Sequence, residues 1–356
     1  MMDRSNSVSP PAKKQKNLVP CSSRVRDVLI RASNWEDGEF VFDWYILNLE
    51  DGTIRSTLMR MPPEARGSST AVACSNQIYV LGGVCSRDGT CPDGESYHHF
   101  HDSVLYFDGN DPEKGWSPGK LMSLARARPS AVSFDSKIYA FGGYREGPLA
   151  EYLDINDPEK RWYPVLAPSP LFDGDMSYPV VLDSARRRIL VHFMSNDSLY
   201  AYYVDDNRWC LLKKDFGGWT RSMSAVIVGN VLYTLSTYGE LDFFFFPEHD
   251  KRSLTADEPT SSLRAYDLGE NKALPTRWLS GGFKGYAPVT SDLVHIGSNN
   301  LCLVWLSGVH NTLEYIKFSV TRDSSGEVHA TSESESEARF PIKANVFQIS
   351  LLLIQG

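Results

Sequence analysis

Apolar and polar residues alternate along this chain in short runs, and segments with a helical period are scarce. Val25 to Ala32 reads as a strand, and Phe40 to Leu49 as a stronger one. Glu50-Asp51-Gly52 turns the second into Thr53 to Met59, because Asp-Gly between apolar runs is a hairpin signal. A second unit runs from Ser69 to about Leu121. It comprises Thr70 to Ala73, Ile78 to Leu81, the doublet Gly82-Gly83, a long insert from Val84 to Asp102, Val104 to Phe107, and Trp116. The third unit is compact: Ser130-Ala131-Val132, Ile138 to Phe141, Gly142-Gly143, Ala150 to Ile155, then Trp162. The fourth has no glycine doublet: Val180 to Leu182, Ile189 to Phe193, Ser198 to Val204, then Trp209. The fifth has Ser224-Ala225-Val226, Val231 to Leu235, an insert from Thr237 to Ser262, Leu263 to Leu268, then Trp278. The sixth has Leu293 to Ile296, Leu301 to Leu306 and Leu313 to Val320. The acidic serine-rich run Thr331 to Glu337 follows and is expected to be a flexible loop; Ala344 to Ile354 is apolar again.

These units repeat. Trp116, Trp162 and Trp209 lie 46 and 47 residues apart, and Ala131 and Ala225 lie 94 apart. In the second and third units Asn-Asp-Pro-Glu-Lys is followed one residue later by Trp, with a Tyr ten residues before that Trp. A period near 50 with four strands per unit means a propeller rather than a sandwich. With the doublets Gly82-Gly83 and Gly142-Gly143, the third-strand tyrosines Tyr106, Tyr152, Tyr202 and Tyr266, and the tryptophans Trp116, Trp162, Trp209 and Trp278 opening fourth strands, the chain resembles the kelch-repeat family. Physical reasons fit the resemblance. A glycine doublet lets the chain leave a strand at positive φ close to a neighbouring sheet. Tyr and Trp fill the wedge between blades while their polar tips reach backbone partners.

Six units predict an all-β, six-bladed ring of four-stranded sheets. The first unit supplies three strands, so its innermost strand is expected from Ala344 to Ser350, closing the ring. Leu351 to Gln355 has two open readings, a short edge strand or an atypical end. Residues 1–23 read as a disordered basic Ser/Pro tail and 24–356 as one propeller domain. The basic cluster Pro10 to Lys16 reads as a solvated tail or as a nuclear import signal.

A net charge of −8 argues against a general nucleic-acid binder. The first twenty residues have no apolar core of a secretory signal, and the apolar runs are too short to span a bilayer. The six cysteines form no C-x-x-C pair, so reduced thiols in a cytoplasmic or nuclear, monomeric protein are expected. Kelch-type adaptors of ubiquitin ligases carry an F-box or BTB docking domain before the propeller. With about two dozen polar residues before the first strand, no such domain is expected here.

Candidate chemistry is sparse. Cys85, Cys91, His98, His99 and His101 share one insert, but C-x5-C-x6-H-H-x-H matches no common zinc pattern. The resemblance includes iron-dependent plant members with Glu-x3-Asp-x3-His. Glu240, Asp242, Glu248, His249 and Asp250 are at the wrong spacings for it. No phosphate loop or nucleophile elbow is present, and no cofactor is expected. Arg66, Arg126, Arg128 and Arg221 lie in connections that precede innermost strands; with Arg145 they form a predicted rim. Arg forks suit carboxylate or phosphate on a partner peptide, the alternative role being ion pairs to adjacent blades. Phe243 to Phe246 reads as a strand with one buried face, or as an apolar contact. The leading functional expectation is a non-enzymatic module presenting rim loops to a partner protein or acidic peptide. The alternative is a metal-dependent enzyme acting on a small molecule.

Overall fold

A computed structural model describes residues 27–36, 39–57, 59, 61–62, 66–84, 100–143, 147–168, 180–216, 222–237, 261–278, 290–307, 311–332, 339–342 and 346–353. The first blade takes β1 (Asp27–Glu36), β2 (Glu39–Asn48) and β3 (Ile54–Ser56). The second is β4 (Thr70–Cys74), β5 (Gln77–Leu81), β6 (Val104–Asp108) and β7 (Trp116–Pro118). The third is β8 (Ser130–Phe134), β9 (Lys137–Phe141), β10 (Ala150–Asp154) and β11 (Trp162–Val165). The fourth is β12 (Val181–Asp183), β13 (Arg188–Phe193), β14 (Ser198–Tyr203) and β15 (Arg208–Lys213). The fifth is β16 (Ser222–Val228), β17 (Val231–Thr237), β18 (Ser261–Asp267) and β19 (Lys272–Leu274). The sixth sheet gathers β20 (Thr276–Trp278), β21 (Thr290–Gly297), β22 (Asn300–Ser307), β23 (Thr312–Arg322), β24 (Val328–Ser332) and β25 (Arg339–Pro341). Last comes β26 (Val346–Leu353), which pairs antiparallel with β1 and becomes the innermost strand of the first blade. The predicted closure is therefore present. Leu351–Leu353, which had two open readings, are part of that closing strand, facing Ile30 to Val28.

Side-chain alternation explains why the sheets form a ring. Each second strand sends successive residues to opposite faces. In β5, Ile78 and Val80 pack toward the first blade, while Tyr79 and Leu81 pack toward the third. In β22, Leu301, Leu303 and Trp305 face the fifth blade, and Cys302, Val304 and Leu306 face the first. Six apolar clusters result, one in each seam between neighbouring sheets. No blade buries both faces alone, so ring closure completes the core.

The glycine doublets work as expected. Gly82 and Gly143 both have positive φ, at 64° and 67°. A Cβ on Gly82 would overlap the carbonyl oxygen of Arg126, and one on Gly143 that of Ala127.

Two features of the sixth sheet differ from the sequence reading. Trp278 does not open the fourth strand of the fifth blade; β19 fills that place. Trp278 ends β20, which runs parallel to β24 on the outer edge of the sixth sheet. Pro275 has no N–H to continue the β18–β19 ladder, and its carbonyl instead accepts from Val328 N at 2.8 Å. Thr331 and Ser332, read as loop, belong to β24, whose Val328 and Ala330 are fully buried. Among the described residues no helix is long and apolar enough to cross a membrane.

Candidate functional site

Antiparallel connectivity gives the ring two unlike ends. One end carries the turns from first to second and from third to fourth strands; it is called the turn end. The other carries the connections from second to third strands and from blade to blade; it is called the connection end.

The turn end is tight and tied to itself. Its short turns use left-handed backbone at Ser75, Asp135, Ser136, Arg187, Asn207, Asn271 and Ser298. Arg187, of the fourth blade, pairs with Asp135 of the third and Asp205 of its own blade, both at 2.6 Å. These pairs raise the Arg187 pKa and hold Asp205 below the usual carboxylate range. Arg322 of the sixth blade reaches Asp267 of the fifth at 2.6 Å. Lys317 Nζ donates to the Leu49 carbonyl of the first blade at 2.8 Å.

Inner strands are also linked sideways around the axis. Leu293 N donates to Ser224 Oγ, Val180 N to Ser130 Oγ, and Thr70 Oγ1 to the Pro129 carbonyl. Asp292 accepts from Ser224 Oγ at 2.6 Å, from Leu293 N at 2.9 Å and from the closing strand's Leu351 N at 2.8 Å. Desolvation raises its pKa, opposed by these three bonds.

Predicted rim residues occupy the connection end in different ways. Arg66 is half-buried, and its carbonyl accepts from Ser69 Oγ. Arg128 is half-buried with φ 50°, and its N and Nε donate to Ser68 O and Oγ at 2.7 and 3.3 Å. Left-handed backbone is unfavourable for arginine, and more so before a proline. Arg145 and Arg221 lie outside the described residues.

Arg126 corrects the rim expectation, because it has no exposed surface. Its Nε donates to Glu151 Oε1 at 2.9 Å, Nη1 to the Gly142 carbonyl at 2.6 Å, and Nη2 to the Pro148 carbonyl at 3.1 Å. Ser123 N donates to the other Glu151 oxygen at 2.8 Å. The pair pins the second-to-third-strand connection of the third blade onto the chain entering it. Sequence reading missed Glu151; the signal was an acid inside an otherwise apolar strand, Ala150 to Leu153.

The aromatic repeat residues sit in the seams. Trp162 Nε1 donates to the Lys120 carbonyl at 2.9 Å, and Trp209 Nε1 to the Leu166 carbonyl at 2.7 Å. Each ties its blade to the connection leaving the one before. Trp116 Nε1 is buried without a partner, and so is Trp44 Nε1, whose ring centroid lies 5.8 Å away. Tyr106 stacks on Tyr79, Tyr152 lies against Tyr139, Tyr202 donates to Asn207, and Tyr266 to Asn271.

Of the Cys/His insert, Cys85, Cys91, His98 and His99 lie outside the described residues, as do Glu240 to Asp250 and the four phenylalanines. His101 serves through its backbone: its N donates to Gly83 O and its carbonyl accepts from Arg126 N. Among the described residues, metal-ligating atoms converge at Asp323, Glu327 and His329, within 4.8 Å of one another. They occupy a turn between β23 and β24 at the turn end. Asp323 is already engaged by Ser325, Glu327 N and His329 Nε2, which hold it well below the usual carboxylate range. That geometry is a self-capped turn. The buried thiols of Cys74 and Cys302 are pushed up to about 11 and about 12 by burial, which keeps them protonated.

A second buried charged group also escaped the sequence reading. Arg31, in the middle of β1, is 2% exposed. Alternation places it with Leu29 on the face toward the second blade. Nη1 donates to the Ser69 carbonyl at 2.8 Å and Nη2 to Ser69 Oγ at 2.6 Å. Phe42 stacks 4.0 Å from the guanidinium. Among the described residues it has no carboxylate partner, and burial pushes its pKa down to about 9.

No protein-family profile matches this chain, and no curated protein matches it. Among solved structures, that of YjhT is similar at 12% identity and a TM-score of 0.52, over 84% of this chain and 96% of that one. At that identity the likeness speaks for the fold alone. With the six closed sheets it defines the class: this protein is a six-bladed β-propeller.

Proposed function

We propose that this propeller is a non-enzymatic interaction scaffold of the kelch type, and that its connection end receives a partner protein through an acidic segment. The observation that carries the reading is the difference between the ends. The turn end spends its charges on ion pairs within and between blades. At the connection end Arg66 and Arg128 are both half-buried; among the described residues Arg66 holds no ion pair, and the Arg128 Nε donates to Ser68 Oγ. Three of the four exposed large apolar side chains among the described residues, Leu121, Leu166 and Met194, belong to that end. Apolar contacts flanked by arginine forks suit a peptide bearing carboxylates or phosphates. The glycine doublets and seam tryptophans support the kelch reading.

Affinity capture from cell extract with quantitative mass spectrometry tests it. A protein carrying Arg66→Glu, Arg128→Glu and Leu166→Ser should lose its partners. One carrying Arg161→Glu and Arg208→Glu at the turn end should keep them. The reverse pattern would end the proposal.

A further inference from the structure

The seam between the first and second blades holds a buried cation that makes no ion pair among the described residues. We propose that Arg31 anchors an oxyanion-binding site in this seam, beside Ser69 where the chain enters β4, taking a single phosphate or carboxylate group. The guanidinium has two edges that can offer parallel N–H donors. The end-on edge, Nη1 with Nη2, is occupied by the two oxygens of Ser69. The side-on edge keeps Nε–H and the second Nη2 hydrogen, and Nε is buried with no protein acceptor. Two parallel donors at that separation match two oxygens of a carboxylate or phosphate.

Three further observations point to the same ligand chemistry. Trp44, opposite Arg31 in the β1–β2 register, and Trp116 beyond it extend the row of buried donors, and neither Nε1 has an acceptor. The orphan acceptors of the first blade are out of reach: Asn34 Oδ1 is on the opposite face of β1, and Asp27 Oδ1 is four residues down the strand. Finally, other seams complete the same groups internally, since Trp162 and Trp209 find carbonyls and Arg126 finds Glu151. Donors and a positive charge with neither counter-charge nor spare acceptor within reach are complementary to an oxyanion. The site lies within the seam and does not depend on the partner-binding reading above.

Calorimetric titration and thermal melts of the full chain test it, with sodium phosphate and, separately, sodium acetate, each against sodium chloride at equal ionic strength. The expected result is saturable binding and a rise in Tm with at least one oxyanion beyond the chloride control. The tighter of the two identifies the group the site prefers. Arg31→Met, checked for folding by near-ultraviolet circular dichroism, should lose the saturable response. Arg31→Lys keeps the charge without the fork and should bind at least about tenfold more weakly. If neither oxyanion exceeds chloride on the wild-type protein, the proposal falls, whatever the variants do. It falls equally if Arg31→Met binds with unchanged affinity.

Discussion

Arg126 and Arg31 are both withdrawn from water in adjacent seams, yet only Arg126 is compensated by the fold. Arg126 meets Glu151 and backbone carbonyls. Arg31 has one serine and an aromatic face. Burying a charge is unfavourable unless it is paired and hydrogen-bonded. Arg126 is thus an internal clamp, while Arg31 is a local cost retained in the folded state. The apolar packing around them differs in the same sense. Among the described residues, the seam holding Arg31 has seven buried apolar members, against sixteen in the closing seam between the first and sixth blades.

The largest effect expected from this contrast is at Glu151. Glu151→Ala would leave Arg126 buried without its anion, costing about 3–5 kcal/mol in urea unfolding. Replacing both residues by Met should recover much of that loss. A double variant no better than the single would mean that the carbonyl bonds, rather than the ion pair, hold the connection. Next is Asp292, a buried carboxyl satisfied by N–H and O–H donors in place of a cation. Asp292→Ala strips an acceptor from Leu351 N and Ser224 Oγ and should cost about 2–3 kcal/mol. Faster hydrogen exchange at the Leu351 amide would locate the loss in the closing strand.

Arg31→Met is expected to move stability the opposite way, a gain of about 1–2 kcal/mol at neutral pH without added oxyanion. The pH dependence has a definite sign. The folded-state pKa of Arg31 is depressed to about 9, so above that pH the unfolded chain binds more protons than the folded one. Wild-type stability should therefore rise relative to Arg31→Met as pH climbs through about 9, and the gap should stay constant below it. A gap that is flat across that range would show that the guanidinium finds compensation in solution.

The ring was legible in the sequence because blades advertise themselves through local patterns. Two-residue alternation, the glycine doublets at 82–83 and 142–143, and the spaced tryptophans are all read within a few residues of each other. Even the closing strand could be placed, since three strands in the first unit left one vacancy. The sixth sheet was harder. Trp278 looked like its predecessors, but Pro275 diverted it to another sheet, and a parallel pairing leaves no hairpin signal. Arg126 departed from the predicted rim for a related reason. Arg126 and Arg66 do occupy matching connections, as their shared offset from Ala131 and Ala71 implied. Whether an arginine faces water depends on a residue contributed from elsewhere, here Glu151 from β10, and spacing does not encode that pairing. Arg31 was visible as one charge inside Val28-Leu29-Ile30-Arg31-Ala32, although its lack of a counter-charge was not.

The smallest effect sharpens the comparison most directly, because it uses one residue type in different seams. Trp162 and Trp209 each donate an indole N–H to a carbonyl of the preceding connection; Trp116, at the same point of the repeat, does not. Replacing Trp by Phe removes comparable ring area at each site, so the difference isolates the hydrogen bond. Trp162→Phe and Trp209→Phe should each cost about 1 kcal/mol more than Trp116→Phe, since they also leave a carbonyl unpaired. Trp116→Phe relieves an orphan donor, which offsets part of its packing loss. Equal costs at all three positions, measured by urea unfolding, would mean that Trp116 finds an acceptor in solution. Repeating Trp116→Phe in saturating phosphate then separates two sources of that acceptor. A cost that grows with phosphate ties the indole to the oxyanion of the Arg31 seam, and a constant cost assigns the acceptor to water.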